Sequence, residues 1–289
     1  MRGRHWALLL AGLGAALVVG AASGGSNPPT PKGLLLWNTL GSAQEVTHSA
    51  FGPNLKLFNC HAKRAPHFGP RCSIDIRGKL AFVDGPFSKA ATIGGGPYFP
   101  EARVHTALLR KSILNPEHGA IEAWYWQKKD PEPFKDNPHR IFAGGYNLGG
   151  AGDVNLQVQD RVDSGDPRLL FSIFFGRNKA RPTIIWARST VDHHIGYPIS
   201  SFTGQWIHIA GVWDRHGIEG STDTVRLYVN GKVVAVSHKR NWGRVTCGMR
   251  KVRCWDDVVG CNDTCAGTFA VDDLKIWDYA KTDFSASRT

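Results

Sequence analysis

The most regular hydrophobic pattern in the chain lies between Gly204 and Trp277, where it predicts β-strands. In Val225–Val229 apolar and polar side chains alternate, so that three apolar residues share one face. Asn230-Gly231 follows, and this pair supplies the two left-handed residues of a type I′ turn before apolar residues return at Val233. The segment is therefore predicted to be a β-hairpin.

A different pattern in Trp206–Trp213 predicts a strand that is covered on both sides. Both alternating rows of this segment are largely apolar, whereas a strand open to water on one side carries polar residues in one row. A covered strand needs a layer of structure on each face. The chain is therefore expected to hold two stacked sheets.

Short apolar runs separated by clusters of Gly, Pro, Asn and Asp continue along the rest of the chain, and helical patterns are scarce. This organisation is typical of an all-β fold, an antiparallel β-sandwich. Ala102–Ser112 is the one segment with a pattern that suits a helix. Further strands are predicted at Leu34–Trp37, Lys79–Val83, Ala120–Trp126, Arg140–Ala143, Val154–Gln159, Leu169–Phe175 and Thr183–Ala187.

Several segments resemble the laminin-G-like jelly-roll domains of the concanavalin A-like lectin and glucanase superfamily. The similarity rests on Gln205–Asp214, Leu227–Lys232 and Phe269–Tyr279, with upstream counterparts in Phe87–Ala91 and Leu114–Trp124, and it extends from Leu34 to Phe284. The resemblance implies a two-sheet antiparallel jelly roll in which part of Ala102–Ser112 is a strand. It implies little about activity, because functional sites are added to such a scaffold independently.

The first 22 residues have the pattern of a secretory signal peptide. Basic residues precede an uncharged run from Trp6 to Gly20, and small residues follow at a typical cleavage position. An uncleaved anchor is the alternative, because the apolar run approaches the ~17 residues of a short membrane span. We expect a secreted or periplasmic protein without a membrane span after cleavage. Its predicted parts are a signal peptide at 1–22, a flexible linker at 23–33, one jelly-roll domain at 34–284 and a tail at 285–289.

The six cysteines of an exported chain are expected to form disulfides. Cys60 and Cys72 flank a short basic loop and are predicted to pair. The other four allow three pairings. The nested one, Cys247 with Cys265 and Cys254 with Cys261, is favoured because Val258-Val259-Gly260 predicts a short strand that folds back on its neighbour. Zinc is the alternative, although the spacing lacks the Cys-x-x-Cys of most structural zinc sites.

The formal net charge of +11 arises largely from Lys and Arg clusters in predicted loops. Such a surface attracts polyanions, although solubility alone explains the same charges. No nucleic-acid-binding motif or basic helix accompanies the clusters, so nucleic acid is not expected as a partner. A carbohydrate or an anionic cell-envelope polymer is the expected partner.

The sequence offers little for catalysis. Glucanases of the resembled superfamily carry a Glu-x-Asp-x-x-Glu strand that places carboxylates on one face, and no such motif occurs here. Glu122 stands alone in its predicted strand, and the neighbours Asp272 and Asp273 are predicted to face opposite ways. His208 and His193-His194 are interpreted as packed or surface histidines.

Two regions are candidates for ligand binding. Asn155 and Gln157 form the polar row of an amphipathic strand, and amides satisfy sugar hydroxyls as donors and as acceptors. An ordinary solvent-facing sheet explains that row equally. Trp242 and Trp255-Asp256 lie in the cysteine-rich segment, where the rings either fill a small satellite core or form a binding platform.

Asp272 is a candidate metal ligand. It alternates in register with Leu274 and Ile276, which predicts that it faces the core. A buried carboxylate needs hydrogen bonds or a cation. Calcium takes oxygen ligands and is held by several members of the resembled superfamily, so it is one candidate, and backbone N–H groups of a loop are the other.

These patterns together favour an exported, non-catalytic module that binds carbohydrate or another cell-envelope ligand. A polysaccharide hydrolase or lyase on the same scaffold is one alternative, and a protein-adhesion domain is another. No cofactor other than calcium is expected.

Overall fold

Two antiparallel β-sheets pack face to face in this protein, which confirms the predicted all-β fold. The structure is a computed structural model. It describes residues 31–61, 72–73, 81–92, 103–109, 112–115, 117–127, 139–144, 154–160, 167–175, 183–238, 257–260 and 269–285. Within these ranges each sheet contains nine strands.

In chain order the described strands are β1 (Leu34–Asn38), β2 (Lys56–His61), β3 (Cys72–Ser73), β4 (Ala81–Asp84), β5 (Lys89–Thr92), β6 (Arg103–Leu109), β7 (His118–Gln127), β8 (His139–Gly144), β9 (Val154–Asp160), β10 (Pro167–Phe175), β11 (Thr183–Trp186), β12 (Arg188–Ser189), β13 (Tyr197–Pro198), β14 (Ile207–Asp214), β15 (Val225–Val229), β16 (Lys232–Ser237), β17 (Asp257–Gly260) and β18 (Phe269–Trp277). Short helical segments are α1 (Ala43–Thr47) and two 3₁₀ turns at Ser200–Phe202 and Ile218–Gly220.

The strand order mixes distant parts of the chain. Sheet 1 runs β12-β16-β15-β14-β7-β18-β5-β4, with β1 also pairing with β18. Sheet 2 runs β11-β10-β9-β8-β17-β6-β2-β3, with β13 also pairing with β10. The first and last strands therefore lie side by side in sheet 1. We call the face of each sheet that is turned away from the other sheet its outer face.

The core lies between the sheets. The Phe171 ring of sheet 2 lies 6.2 Å from the Trp213 ring of sheet 1, and both side chains are fully buried. Gly211 allows this close approach, since a Cβ there would lie 2.3 Å from the Phe171 ring. Burial of each such ring contributes roughly 2 kcal/mol or more to stability.

The predicted hairpin and the predicted covered strand are both confirmed. β15 and β16 pair directly, and Asn230 and Gly231 between them have φ values of 50° and 72°, as a type I′ turn requires. In β14, seven of the eight residues are buried. β14 is covered on its outer face as well as its core face, because a second apolar cluster that includes Ala210, Val212 and Phe284 lies there.

The helix predicted for Ala102–Ser112 is wrong. Residues Arg103–Leu109 form β6, which pairs with β17 on one side and β2 on the other. Backbone pairing with two neighbours outweighs a local helical pattern, because helix propensities differ by only about 0.7 kcal/mol for ordinary residues. The strand that the family resemblance implied is confirmed.

Helix α1 was not predicted, although its sequence contains a recognisable start signal. Ser42 Oγ accepts a hydrogen bond from the Glu45 backbone N–H at 3.1 Å and donates one to Glu45 Oε1 at 3.1 Å. Ser42 is thus the N-cap of α1, and Ser-x-x-Glu has the spacing of a capping box. In the part of the chain that the structure describes, no helix combines the length and the apolar character that a membrane crossing demands.

Candidate functional site

A cavity of about 400 Å³ opens on the outer face of sheet 1, beside β18. Its walls come from four separate parts of the chain: the end of β1, helix α1, the turn between β4 and β5, and β18. The lining residues are Trp37, Thr39, Glu45, Phe87, Ser88, Asp272, Asp273 and Lys275.

A β-bulge at Asp273 places two carboxylates in this cavity. Asp273 has a φ of 50°, and the pairing of β18 with β7 shifts between Asp272 and Lys275. Asp272 is therefore opposite Trp124 on the outer face, while Leu274 returns to the core. The prediction that Asp272 shares the core row of Leu274 is wrong. So is the prediction that Asp272 and Asp273 face opposite ways, because a bulge breaks the two-residue period of the strand.

Asp272 is buried and only partly satisfied. Its side chain is 2% exposed, and its Oδ1 accepts a hydrogen bond from the Asp273 backbone N–H at 2.9 Å. Its Oδ2 has no hydrogen-bond partner within the described residues. Burial, followed by the nearby Asp273 carboxylate, raises the pKa of Asp272 from 3.8 to about 7. A buried acceptor without a donor costs free energy, so this atom is a natural contact for a ligand that can donate.

Gly85 makes room for this carboxylate. A Cβ at Gly85 would lie 2.7 Å from Asp272 Oδ2 and 3.0 Å from the Ala90 Cβ. Gly85 belongs to the turn between β4 and β5, where its N–H donates to the Ser88 carbonyl at 3.0 Å. The turn thus holds Phe87 and Ser88 at the cavity while leaving space for Asp272.

The other two carboxylates of the cavity are already occupied. Glu45 Oε2 accepts hydrogen bonds from the Thr39 hydroxyl at 2.5 Å and from the Gly41 N–H at 3.2 Å, and Oε1 accepts from Ser42. Asp273 accepts from the Trp37 indole N–H and from the Lys275 ammonium group. These contacts fix the walls and leave Asp272 Oδ2 as the unsatisfied acceptor.

Aromatic rings form the apolar part of the cavity. Phe87 is 49% exposed, and its ring contacts the Trp124 ring edge to face at 5.9 Å. Trp37 is half-buried and carries the Lys275 ammonium group 5.1 Å from its ring centre. Exposed rings beside hydrogen-bonding groups are typical of sites for small amphipathic ligands.

A second buried carboxylate lies on the same face, under the C-terminal segment. Glu122 is 1% exposed. Its Oε1 accepts from the Trp277 indole N–H and the Lys281 ammonium group, both at 2.7 Å, and its Oε2 lies 2.9 Å from His208 Nε2. Phe284 covers the cluster, with its ring 5.4 Å from the His208 ring. The interpretation of His208 as a packed histidine is confirmed.

The donor set at Asp272 does not fit calcium. Calcium takes six to eight oxygen ligands. Among the residues that the structure describes, no three His, Cys, Asp or Glu side chains are arranged to hold a metal ion. Asp273 already accepts from the Lys275 ammonium group and the Trp37 indole N–H, so its oxygens are not free to act as calcium ligands. Calcium at Asp272 stays an untested prediction, and the contacts weigh against it.

The predicted amide row is not part of this cavity. Asn155 and Gln157 lie on β9 of sheet 2, in the row opposite the core residues Leu156 and Val158. Both are 7% exposed, and Gln157 Nε2 donates to Gln159 Oε1 at 3.2 Å. These amides are therefore buried and do not form the ordinary solvent-facing row that was the alternative to a binding site. Ligand binding by them stays a prediction.

Other predicted residues lie partly or wholly outside the described ranges. The backbone register pairs Cys60 with Cys72, an arrangement compatible with the predicted disulfide, which stays a prediction. β17 confirms the predicted strand at Val258-Val259-Gly260, although it lies between β6 and β8. Outside the described residues are the predicted signal peptide and the ligand or disulfide candidates Trp242, Trp255, Asp256, Cys247, Cys254, Cys261 and Cys265.

The fold defines the class of protein. Two packed antiparallel sheets with the first and last strands adjacent form a jelly-roll sandwich of the lectin type. A family model described as the concanavalin A-like lectin/glucanases superfamily matches residues 136–284, just over half of the 289-residue chain. The chain belongs to this family, which confirms the resemblance found in its sequence.

Solved structures with the same fold include two domains that are distant in sequence. One is domain 4 of AbnA, a GH43 extracellular arabinanase from Geobacillus stearothermophilus, in complex with arabinotriose. It has 16% identity and a TM-score of 0.52, over 88% of this chain and 95% of that chain. The other is a structure of botulinum neurotoxin type C, a toxin whose cell entry is described as dependent upon interaction with two ganglioside molecules. It has 11% identity and a TM-score of 0.51, over 89% of this chain and 50% of that chain.

The chain therefore spans about half the length of the toxin structure. At these identities the likeness concerns the fold alone. No curated protein matches the sequence.

Proposed function

We propose that this protein is an exported, non-catalytic carbohydrate-binding module and that the cavity at Asp272 is its sugar site. The observation that carries the proposal is the unpartnered Asp272 Oδ2 in a cavity walled by the Trp37 and Phe87 rings. A sugar hydroxyl donates to a carboxylate oxygen, and the apolar face of a sugar ring packs on an aromatic ring.

The fold neighbours support this proposal by analogy only. The arabinanase domain is in complex with arabinotriose, and the neurotoxin is described as interacting with gangliosides. Both use the jelly-roll scaffold of this chain. Function must still come from the residues of the site.

A hydrolase is the second candidate, because the cavity holds three carboxylates and one of them has a raised pKa. Glycoside hydrolysis needs one carboxyl group to donate a proton and a second to act as base or nucleophile. In this cavity Glu45 and Asp273 are held by internal donors, including an ion pair. Binding therefore accounts for the arrangement better than hydrolysis does.

The proposal is tested by probing a glycan array with the protein and with a Phe87→Ala variant. We expect binding to at least one glycan, and about a tenfold loss of affinity for that glycan in the variant, since a stacked ring contributes on the order of 1 kcal/mol or more. Tyr279→Ala is the matched control, because Tyr279 is similarly exposed (42% against 49%) and does not line the cavity. It should bind as the wild type does.

A reducing-end assay on the glycans that bind separates binding from hydrolysis. We expect no new reducing ends. Release of reducing ends that is lost in Asp272→Asn would establish the hydrolase instead. Absence of binding to every glycan would contradict both sugar functions and leave protein adhesion.

A further inference from the structure

The charges that face the cavity are mostly negative, in contrast to the chain as a whole. Glu45, Asp272 and Asp273 line it, and Lys275 is the one basic residue among its described walls. Lys275 is bonded to Asp273, so its charge is already compensated. The chain carries a formal charge of +11. The described walls thus form an acidic site on a basic protein, and their charge disfavours an anionic sugar.

The missing partner of Asp272 is a donor, and the surroundings favour a charged one. A positively charged donor adds Coulomb attraction to its hydrogen bond with a carboxylate, and a neutral hydroxyl lacks this attraction. Within the described chain Glu45 receives only neutral donors. Burial, then the charge of Asp273 and then that of Glu45 raise the pKa of Asp272. A cation that contacts Asp272 would offset all of these effects, whereas a hydroxyl group would leave the mutual repulsion of the carboxylates in place.

The walls suit a sugar ring better than a single cationic side chain. The Trp37 and Phe87 rings offer apolar surfaces, and aromatic faces attract cations. The Thr39 and Ser88 hydroxyl groups also line the cavity, and hydroxyls both donate and accept. Such a mixture matches a ligand with several polar groups arranged around an apolar face.

From these charges and contacts we infer that the cavity takes a sugar unit with a free, positively charged amino group, whose ammonium contacts Asp272 Oδ2. This inference rests on the proposed carbohydrate function and adds the class of sugar. The inferred ligand is cationic, whereas the overall charge of the chain would suggest an anionic envelope polymer.

The experiment is a calorimetric titration of the full chain with three oligosaccharides of equal length at about pH 7.3. At this pH Asp272, with a pKa of about 7, is mostly ionised, and an amine with a pKa of about 7.7–8.0 is mostly protonated. The three are a glucosamine oligomer, its fully N-acetylated form and a uronic-acid oligomer. We expect the amine form to bind about tenfold more tightly than the acetylated form, and the uronic-acid oligomer to bind more weakly than both.

Asp272→Asn should abolish the preference for the amine while Asp283→Asn, which removes an exposed acid outside the cavity, should retain it. Equal affinity for the amine and acetylated forms, with binding still sensitive to Phe87→Ala, would overturn this inference and leave the proposed function intact. Binding to no oligosaccharide would overturn both. Binding of a lysine oligomer in preference to every sugar, with loss in Asp272→Asn, would overturn the sugar assignment in favour of a protein partner.

Discussion

Glu122 and Asp272 are buried carboxylates on the outer face of the same sheet, and the way that each is compensated differs. Glu122 accepts from Trp277 and Lys281 through one oxygen and contacts His208 through the other. Asp272 accepts one backbone N–H through Oδ1, and its Oδ2 is unpaired within the described chain. Glu122 lies on β7 and Asp272 on the neighbouring strand β18. Their different hydrogen bonding therefore arises from the segments that cover them.

In the described chain the C-terminal segment covers Glu122, whereas a turn of sheet 1 lies over Asp272. Lys281 and Phe284 close over Glu122, and the Lys281 ammonium group lies 4.7 Å from the centre of the Trp277 ring. The described wall over Asp272 is a turn with a glycine against the carboxylate, which leaves a cavity. Removal of one partner from a paired buried acid is costly, whereas a buried acid with an unpaired atom that lines a cavity is a candidate contact for a ligand.

The largest change in stability is expected from Glu122→Gln. The amide removes the carboxylate that compensates Lys281, whose side chain is only 12% exposed, and loss of this ion pair should cost about 3 kcal/mol. Thermal denaturation should show a melting temperature lower by about 10 °C. Glu117→Gln is the control, because the Glu117–Arg215 pair is partly exposed and should contribute less than about 1 kcal/mol. Similar melting temperatures for the two variants would contradict a structural role for Glu122.

Asp272→Asn should change stability less than Glu122→Gln does. It should stabilise the protein, by an amount that depends on pH. The pKa of Asp272 is about 7 in the folded protein and 3.8 ordinarily. The folded state therefore binds the proton more tightly, and stability from this group falls as pH rises from about 4 to about 7.

The gain in the free energy of unfolding from Asp272→Asn should accordingly be about 2 kcal/mol larger at pH ~8 than at pH ~5. Denaturant unfolding at the two pH values measures the difference. A variant whose relative stability is the same at both would show that Asp272 does not titrate with a raised pKa.

Gly85→Ala should act mainly on ligand affinity. The new Cβ would approach Asp272 Oδ2 to 2.7 Å and displace the carboxylate. Displacement of the carboxylate weakens the hydrogen bond between the ligand and Oδ2, which is worth about 1 kcal/mol, so sugar affinity should fall about fivefold to tenfold. Titration of the best-bound glycan checks this, with the fold monitored by circular dichroism. Unchanged affinity would place the ligand elsewhere.

A chelator is expected to have the smallest effect. Because the described donors at Asp272 do not suit calcium, a calorimetric melt with excess chelator should give the same transition as a melt with added calcium. A transition that rises with calcium and is lost in Asp272→Asn would restore the metal site.

The sequence predicted most of the strands because local periodicity encodes them. The Asn230-Gly231 hairpin and the doubly covered β14 were both recognisable from a few consecutive residues. Helix α1 was missed, although Ser42 and Glu45 have the spacing of a capping box. The helix predicted for Ala102–Ser112 is wrong because the pairing of β6 with β2 and β17 depends on residues far along the chain.

The cavity itself could not be predicted by local patterns. Its walls combine Trp37, Phe87 and Asp272, and more than two hundred residues separate Trp37 from Asp272 along the chain. The bulge at Asp273 also reverses the face expected for Asp272, and no periodicity reveals a left-handed aspartate within a strand. Sequence did single out Asp272 as a carboxylate in an apolar strand that needed a partner, and its burial is confirmed.

The central claim is tested most directly by a crystal structure of the protein with its best-bound oligosaccharide. We expect one sugar ring in the cavity, with a donor within about 3 Å of Asp272 Oδ2 and an apolar face against Phe87 or Trp37. A sugar bound instead on the Asn155 and Gln157 row, with the cavity at Asp272 unchanged by the ligand, would contradict the account.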